Sequence, residues 1–445
     1  MSTNAAWKNE MAGALGRGRL LMDDVSLNRL SKDYYWYSPV LEPLLKDKTA
    51  DSIVTVQEER DVADVLAFAY RKGIPVTTRG AGTGNYGQAV PLHGGIVLDM
   101  SGLDRVLEIG DGFARVQAGV RLGALERQAR ACGQELRIYP STYMKATVGG
   151  FVCGGSGGIG SITWGNLWDG NVLRAVVYTM EETPRRLEVE GDDVLDYIHN
   201  YGTTGIVTEL TIPLAKRVEW MQTIVLFDSF GKAARYSETV AADERITKRL
   251  VTTLEWPIPT YFKPIAKYFS PGCAAVLLES EEGTMPLLEE HAVAYGGQIS
   301  HSIPAEQYRT VIGLSDFTWN HTTLWALKTD PSITYLQAGF DPARYKEQVV
   351  AIKQQFGDEV LLHLEWIRSG GRLTPSSLPI VKYTTKERLY EIIHFFETNG
   401  VRIFDPHVWT LERGGRGELA SMIRLKREND PLGLLNPGKL AESLG

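Results

Sequence analysis

The chain has 445 residues, of which 43% are hydrophobic, 23% are charged and 45 are glycine. This composition is typical of a folded globular protein and excludes disordered, collagen-like and fibrous classes. The formal net charge of −7 argues against non-specific binding to nucleic acid or anionic lipid, and three cysteines are too few for a disulfide framework. No stretch reaches the roughly 18 apolar residues of a membrane span, so we expect a cytoplasmic protein.

The first half of the chain predicts short strands with few helices between them. Residues 53–79 indicate strand, helix and strand, because Val62, Val65 and Leu66 recur at helical spacing before a stop at Gly73. A further helix is predicted at residues 122–132. Further strands are predicted at residues 95–100, 105–109, 114–118, 172–179, 187–189 and 206–212. Strands clustered in short meanders indicate an α+β fold.

The character of the sequence changes near residues 213–216, where glycine thins out and aromatic and charged residues become more frequent. Helices are predicted beyond this point at residues 232–250 and 342–356, and strands at residues 274–279, 333–340 and 360–367. The alternation of helices with antiparallel-looking strands indicates a separate α+β cap. Two domains are also expected from length, since a hydrophobic core stops growing at about 250–300 residues.

The first glycine-rich loop, residues 78–87, contains a formal G-x-G-x-x-G at Gly82, Gly84 and Gly87. A dinucleotide-binding Rossmann motif requires a helix to begin in this loop, so that the helix N-terminus meets the pyrophosphate. Pro91 stands where the first helical turns would lie, and it would remove a hydrogen bond and clash there. We therefore reject the Rossmann interpretation. Successive glycines can still gather backbone N–H groups into a nest that binds phosphate.

The second glycine-rich stretch, residues 147–160, has glycines too densely spaced for any regular element to be expected. Such a backbone suits close contact with a flat or extended ligand. Two separate cradles of this kind, without catalytic side chains in either, favour a long cofactor with a diphosphate in its middle.

Four segments resemble, in order and spacing, the FAD-binding domain of the vanillyl-alcohol oxidase / p-cresol methylhydroxylase (PCMH) flavoprotein family. They are residues 79–100 (RGAGTGNYGQAVPLHGGIVLDM), 140–165 (PSTYMKATVGGFVCGGSGGIGSITWG), 202–213 (GTTGIVTELTIP) and 430–440 (DPLGLLNPGKL). The resemblance implies a PCMH-type FAD-binding domain of two α+β subdomains at residues 1–215, with its core at about 46–215. A substrate-binding cap with an antiparallel sheet then follows at residues 216–410, and a C-terminal return to the FAD domain at residues 411–445.

The resemblance implies FAD as the cofactor and assigns residues to it. The loop around the pyrophosphate comprises Arg79, Gly80, Ala81, Gly82, Thr83, Gly84 and Asn85, and the stretch near the flavin comprises Gln88, Ala89 and Val90. The second segment contributes Pro140, Ser141, Thr147, Gly149, Gly150, Gly154, Gly157 and Ser161. Ile206 and Val207 would hold the adenine, and Asn436 and Lys439 would reach the isoalloxazine ring. The first loop lacks the histidine that binds flavin covalently in some members, so we predict non-covalent FAD.

The candidate catalytic residues are His407, His321 and Tyr335, because oxidation of an alcohol needs a base for the hydroxyl proton. His407 ranks first because it lies shortly before the tail that returns to the flavin. His363 and Glu365 alternate along a predicted strand and therefore point to one face. Two ligands make an incomplete metal site, so we predict no metal.

These features predict an FAD-dependent oxidoreductase that oxidises a small alcohol, hydroxy acid or phenolic substrate by hydride transfer. Two alternatives stay open: a metal-independent D-2-hydroxyacid dehydrogenase, and a non-catalytic flavin-binding subunit. The expected partners are a small-molecule substrate, dioxygen or another electron acceptor, and a second copy of the chain as a homodimer, with neither nucleic acid nor membrane. Ala89, a small residue near the flavin, does not decide between oxidase and dehydrogenase.

Overall fold

A computed structural model describes residues 3–15, 19–308, 310, 312–414 and 419–440 of the chain. The first sheet contains strands β1–β4 in the order β1-β2-β4-β3, at Arg19–Leu21, Ser52–Thr55, Val76–Arg79 and Ile96–Asp99. β2 and β3 each pair with β4 in parallel, and β1 pairs with β2 antiparallel. Helices α1–α4 span Thr3–Ala14, Asp24–Leu30, Glu42–Leu45 and Glu59–Lys72.

The helix α4 connects β2 to β3 and buries the predicted apolar face. Val62, Val65 and Leu66 pack in one core cluster with residues of β2, β3 and β4. Gly73 ends the helix at φ 62°, a left-handed conformation that glycine adopts without steric cost. The predicted strand, helix and strand are therefore confirmed, and β3 leads directly into the first glycine loop.

The second sheet contains strands β5–β10 and is antiparallel throughout. Its order is β5-β6-β10-β8-β9, with β7 paired to the end of β10. The strands span Val106–Gly110, Phe113–Gln117, Gln134–Leu136, Arg174–Tyr178, Arg186–Glu190 and Ile206–Lys216. Helices α5–α7 span Leu122–Ala131, Val148–Gly154 and Ser161–Trp164. The predicted elements between residues 105 and 212 coincide with members of this set to within a few residues, and β7, α6 and α7 were not predicted.

One expectation about the second glycine stretch is wrong, because the helix α6 begins there. The Thr147 side chain caps α6 by accepting the Gly150 N–H at 3.1 Å. Phe151 and Val152 are buried against residues of the second sheet. Tertiary packing and the cap therefore outweigh the low helix propensity of glycine.

The third and fourth sheets contain strands β11–β21, and all their pairings are antiparallel. The third sheet has the order β14-β11-β13-β12-β18-β19-β16-β21, and the fourth has the order β15-β20-β17. The strands span Trp220–Phe227, Lys248–Leu254, Ala274–Glu281, Gln298–Ile303, Ile333–Tyr335, Ala338–Gly339, Val360–Leu361, His363–Ser369, Arg372–Ser377, Ile380–Lys382 and Arg402–Ile403. Helices α8–α14 span Phe230–Ala242, Met285–Ala294, Asn320–Thr329, Tyr345–Phe356, Lys386–Thr398, Leu411–Gly414 and Leu419–Asn429.

Three predicted elements of this half need correction. The helix predicted at residues 232–250 ends at Ala242, because the Asp243 side chain accepts the Arg245 N–H at 3.0 Å in a turn. The β-branched residues that follow form β12, a central strand of the third sheet. The strands predicted at residues 333–340 and 360–367 are each divided between the third and fourth sheets.

One face of the third sheet, the dry face, packs against helices, and the other face borders a cavity. On the dry face, Leu364 and Trp366 of β18 pack in one cluster with residues of α8, α11 and α12. The alternate residues of β18 and β19 project to the opposite face. This second face is the part of the sheet that takes part in the candidate site.

The C-terminal segment lies beside the first sheet. The Val76 N–H donates to the Leu434 carbonyl at 2.8 Å, and the Asn436 N–H donates to the Val76 carbonyl at 2.7 Å. Lys426 and Asp430 form a buried ion pair at 2.7 Å that holds this segment. Of the helices in the described ranges, none is both long and apolar enough to cross a membrane.

Candidate active site

A cavity of about 1350 Å³ lies between the two glycine-rich segments and the third sheet. Pockets for a drug-sized ligand hold about 300–1,000 Å³, so this cavity has room for a long cofactor and a small molecule. Of the residues predicted to bind FAD, the wall includes Arg79, Gly80, Ala81, Gly82, Thr83, Gly84, Asn85, Gln88, Ala89, Pro140, Ser141, Thr147, Gly149, Gly150, Gly154, Gly157 and Val207. The predicted residues that lie behind the wall are Val90, Ser161, Ile206, Asn436 and Lys439.

The first loop follows β3 without entering a helix, as the position of Pro91 predicts. Arg79 supports the loop from below, because its guanidinium donates to the Lys32 carbonyl at 2.6 Å and to the Leu30 carbonyl at 3.2 Å. Gly82 has φ 64°, and a Cβ there would collide with that guanidinium. Gly80, Gly82 and Gly84 line the cavity, so bare backbone forms this part of the wall.

The second segment approaches the first so closely that side chains would not fit between them. A Cβ on Gly80 of the first loop would collide with Oγ1 of Thr147 and would lie 3.6 Å from the Cα of Gly150. Gln88 links the two segments, since its Nε2 donates to the Gly154 carbonyl at 2.7 Å.

The polar atoms of the wall fit a diphosphate cofactor such as FAD. Thr78 Oγ1 and Arg79 Nε are buried and have no hydrogen-bond partner among the described residues. An unpaired buried polar atom costs free energy, and both atoms are donors in residues that line the cavity beside the bare glycine backbone. Together with the bare glycine backbone, they form the kind of nest that binds anions.

The C-terminal residues Asn436 and Lys439 hold the first loop from behind. Asn436 Nδ2 donates to the carbonyls of Gln88 and Tyr201 at 2.9 and 2.8 Å. Lys439 Nζ donates to the Gly87 carbonyl. The Lys439 ammonium and the Asp33 carboxylate are both buried, so desolvation lowers the pKa of Lys439 and raises the pKa of Asp33, although each charge opposes the shift of the other.

Among the candidate catalytic residues, His321 lies on the cavity wall in the first turn of α10. Burial and the positive charges of Lys328 and Lys145 lower the pKa of His321 to about 4, against a hydrogen bond with the Asp316 backbone. The imidazole is therefore neutral at pH 7. One ring nitrogen donates to the Asp316 carbonyl, and the other is a proton acceptor.

His407 and Tyr335 do not line the cavity and lie behind the residues that form its wall. His407 Nε2 donates to the Tyr335 carbonyl at 2.9 Å, and Nδ1 accepts the Ser38 hydroxyl at 2.7 Å. The Tyr335 hydroxyl accepts the Asn85 amide at 2.6 Å. Burial lowers the pKa of His407. This geometry joins the fourth sheet to the first loop and favours His321 over His407 as the base.

His363 and Glu365 share a face of β18, as their spacing predicts. His363 Nε2 lies 2.8 Å from Glu365 Oε1, and Glu365 Oε2 accepts the Thr252 hydroxyl at 2.6 Å. The described part of the chain holds no group of three or more His, Cys, Asp or Glu that could bind a metal.

Several wall residues were not found from the sequence. Arg372, Thr374 and Ser376 alternate along β19 and line the cavity, as does Arg402 of β21. Arg402 lies opposite Gly339, which lies opposite Ser376, so all three share one face. The R-x-T-x-S alternation is the signal that could have found them, but no strand was predicted there. We call Arg372, Thr374, Ser376 and Arg402 the polar floor of the cavity.

Comparison with known proteins finds a family match within the first half of the chain. Residues 50–187 match the family described as FAD binding domain. The chain therefore carries an FAD-binding domain, and the predicted α+β class and FAD cofactor are confirmed.

Two curated relatives are similar to part of the chain. The glycolate oxidase subunit GlcD of Escherichia coli (strain K12) is 31% identical over 193 residues, which are 41% of this chain and 38% of that protein. The D-lactate dehydrogenase of Archaeoglobus fulgidus is 28% identical over 199 residues, 41% of this chain and 43% of that protein. The matches thus span about two fifths of the length of these relatives.

A solved structure is similar to almost all of the chain. Alkyldihydroxyacetonephosphate synthase superposes with a TM-score of 0.74, covering 98% of this chain and 85% of that chain at 14% sequence identity. At this identity, the likeness shows the fold alone.

Proposed function

We propose that this protein is an FAD-dependent oxidoreductase that oxidises a small hydroxy acid, as a distant member of the vanillyl-alcohol oxidase / p-cresol methylhydroxylase family. The observation that carries the proposal is the shared cavity, in which the glycine cradles meet a neutral histidine and the polar floor. The substrate class is supported by the names of the relatives, a glycolate oxidase subunit and a D-lactate dehydrogenase.

FAD, when bound, supplies the acceptor for a hydride from the carbon that bears the hydroxyl group. His321 accepts the hydroxyl proton on the ring nitrogen that faces away from the Asp316 carbonyl. Loss of the hydride and this proton turns the alcohol into a carbonyl group. Because burial and Lys328 keep His321 neutral, one of its ring nitrogens is unprotonated at neutral pH.

Arg372 is the residue that we propose to bind the substrate carboxylate. It lies on the polar floor, and its side chain is exposed at the start of β19. A guanidinium binds a carboxylate through two parallel hydrogen bonds, which fixes orientation as well as position. Thr374 and Ser376 add hydroxyl groups along the same face.

The domain division at residues 215 and 410 and the homodimer belong to this proposal. The division is supported by β10 and β11, which end and begin in different sheets on either side of residues 217–219. The contacts of residues 434–436 with β3 support the return of the C-terminal segment.

An anaerobic substrate panel tests the proposed function. Glycolate, D-lactate, L-lactate, 2-hydroxyglutarate, a simple alcohol and a phenolic alcohol are each mixed with the FAD-loaded protein, and the flavin absorbance is followed. We expect a hydroxy acid to bleach the flavin, and re-aeration then distinguishes an oxidase from a dehydrogenase by the rate at which colour returns. A flavin that no compound bleaches would favour the non-catalytic subunit.

A further inference from the structure

Trp319 has a backbone conformation that residues with side chains avoid. Its φ is 52° and its ψ is −139°, and it stands directly before α10. A bulky residue keeps such a conformation only where its surroundings enforce it. Since His321 is two residues further on, whatever enforces the conformation of Trp319 also sets where His321 lies.

The contact that restrains the amide of Trp319 is a hydrogen bond to a buried carboxylate. The Trp319 backbone N–H donates to Glu365 Oε1 at 2.7 Å. Glu365 is 1% exposed and lies in β18, between β12 and β19 of the third sheet. Hydrogen bonds to an ionised acceptor are stronger than those between neutral groups. The indole of Trp319 packs against the core cluster of the second sheet, and its Nε1 has no hydrogen-bond partner among the described residues.

Glu365 is itself held on both sides. His363 Nε2 donates to Oε1 at 2.8 Å, and the Thr252 hydroxyl donates to Oε2 at 2.6 Å. His363 Nδ1 is buried without a partner among the described residues, so the ring proton sits on Nε2. Three donors from two strands and one loop thus converge on one carboxylate that does not line the cavity.

We infer that Glu365 is a positioning residue: by holding the Trp319 amide, it fixes the strained turn that presents His321 to the cavity. Glu365 then acts on the reaction through the backbone and not through contact with substrate. The catalytic part of this inference rests on the proposed function, whereas the anchoring of Trp319 does not.

Three variants of the full-length, FAD-loaded protein separate the anchor from general stability. Glu365→Val removes every acceptor, whereas Glu365→Gln keeps one oxygen for the Trp319 and His363 donors and offers an amide to Thr252. Thr252→Val is the matched control, because it deletes a buried hydrogen bond to the same carboxylate without affecting the Trp319 amide.

Hydrogen exchange measures the hydrogen bond between the Trp319 amide and Glu365 without any substrate. We expect the Trp319 amide to lose protection in Glu365→Val and to keep it in Glu365→Gln and Thr252→Val. Wild-type protection of that amide in Glu365→Val would overturn the inference. So would equal loss in Glu365→Gln, because an acceptor oxygen is still present there.

The rate of flavin reduction under anaerobic conditions measures how the Glu365 variants affect the proposed role of His321. We expect Glu365→Val to lower the rate at saturating substrate by roughly 10²-fold, the effect of a misplacement of about 1 Å, with a smaller change in KM. Glu365→Gln should restore most of the rate. A Glu365→Val enzyme that is reduced at the wild-type rate contradicts the inference. If no compound reduces the wild-type flavin, the proposed function fails, and the exchange experiment still decides the anchor.

Trp319→Gly keeps the test decisive if Glu365→Val folds poorly. Glycine accepts φ 52° without strain, so the anchor becomes dispensable in that background. Adding Glu365→Val to Trp319→Gly should shift the unfolding midpoint less than adding it to the wild type. Equal shifts in both backgrounds would show that Glu365 does not restrain Trp319.

Discussion

His321 is the proposed base because it lies on the cavity wall and burial keeps its imidazole neutral. The sequence favours His407 because it precedes the C-terminal tail, yet both of its ring nitrogens are hydrogen-bonded behind the wall. His321 carries no such positional signal in the sequence. It becomes the better candidate because α10 brings it to the cavity, a tertiary effect that residue spacing does not encode.

Replacement of His321 by Asn tests the base directly. We expect Asn to keep a polar side chain of similar reach but to lose the proton acceptor, so flavin reduction should slow by roughly 10²-fold or more. Stopped-flow reduction under anaerobic conditions measures it. His394→Asn, on the exposed side of α12, is the matched control and should reduce at the wild-type rate. An unchanged rate in His321→Asn would remove His321 from the mechanism.

The pH dependence of the rate carries a second prediction for the same residue. Burial, Lys328 and Lys145 lower the pKa of His321 from its ordinary 6.5 to about 4. A base works in its neutral form, so kcat/KM should fall only as pH drops through this lowered value and should be flat above it. A pH profile of flavin reduction checks this. An acid limb centred near the ordinary histidine pKa, abolished in His321→Asn, would contradict the environment described for this histidine.

At the scale of elements, most of the fold was accessible from the sequence. The helix α4 and five strands of the second sheet, β5, β6, β8, β9 and β10, follow from hydrophobic spacing, because their faces are simple and locally determined. The helix α6 was missed because its stability comes from the Thr147 cap and from burial of Phe151 and Val152, not from propensity. The turn at Asp243 was missed because the apolar pattern continues through it into β12.

The helix α6 yields a prediction about FAD affinity. A Cβ on Gly154 would have Gln88 Nε2 at 3.4 Å as its near neighbour and would otherwise face the cavity. Gly154→Ala should therefore leave the apo protein as stable as wild type but weaken FAD binding by about tenfold or more, since overpacking by a methyl group costs about 1–3 kcal/mol. Fluorescence titration of FAD into apo protein measures the effect.

Gly231→Ala is the control for that variant. Gly231 lies on the exposed first turn of α8, and a Cβ there would have no heavy atom within 4 Å. Alanine should therefore be neutral or slightly stabilising at this position and should not change FAD affinity. Equal affinities in the Gly154 and Gly231 variants would argue against a cofactor in contact with α6.

At the scale of the whole molecule, the two glycine segments could be predicted as parts of one cofactor site. The reason is that their order and spacing along the chain resemble those of the PCMH-type FAD-binding domain. The polar floor could not be predicted from the sequence. Arg372 and Arg402 lie in β19 and β21, which come close only because both strands pair with β16 in the third sheet. The role of Glu365 depends similarly on a contact across 46 residues of chain.

Whether FAD binds covalently depends on the reactive side chains that the cavity wall offers to the flavin. The first loop has no histidine, and burial raises the pKa of the Cys153 thiol on the wall to about 12, which keeps it protonated and unreactive. We therefore expect acid denaturation to release all flavin into the supernatant. Flavin fluorescence that stays with the polypeptide on a denaturing gel would show a covalent bond instead.

The most direct measurement of the central claim is anaerobic reduction of the bound flavin by a hydroxy acid in the wild type and in His321→Asn. We predict complete bleaching of the wild-type flavin by at least one hydroxy acid, formation of the matching oxo acid in equal amount, and reduction slowed by roughly 10²-fold in the variant. A wild-type flavin that stays oxidised with every hydroxy acid, or a variant reduced as fast as wild type, would contradict it.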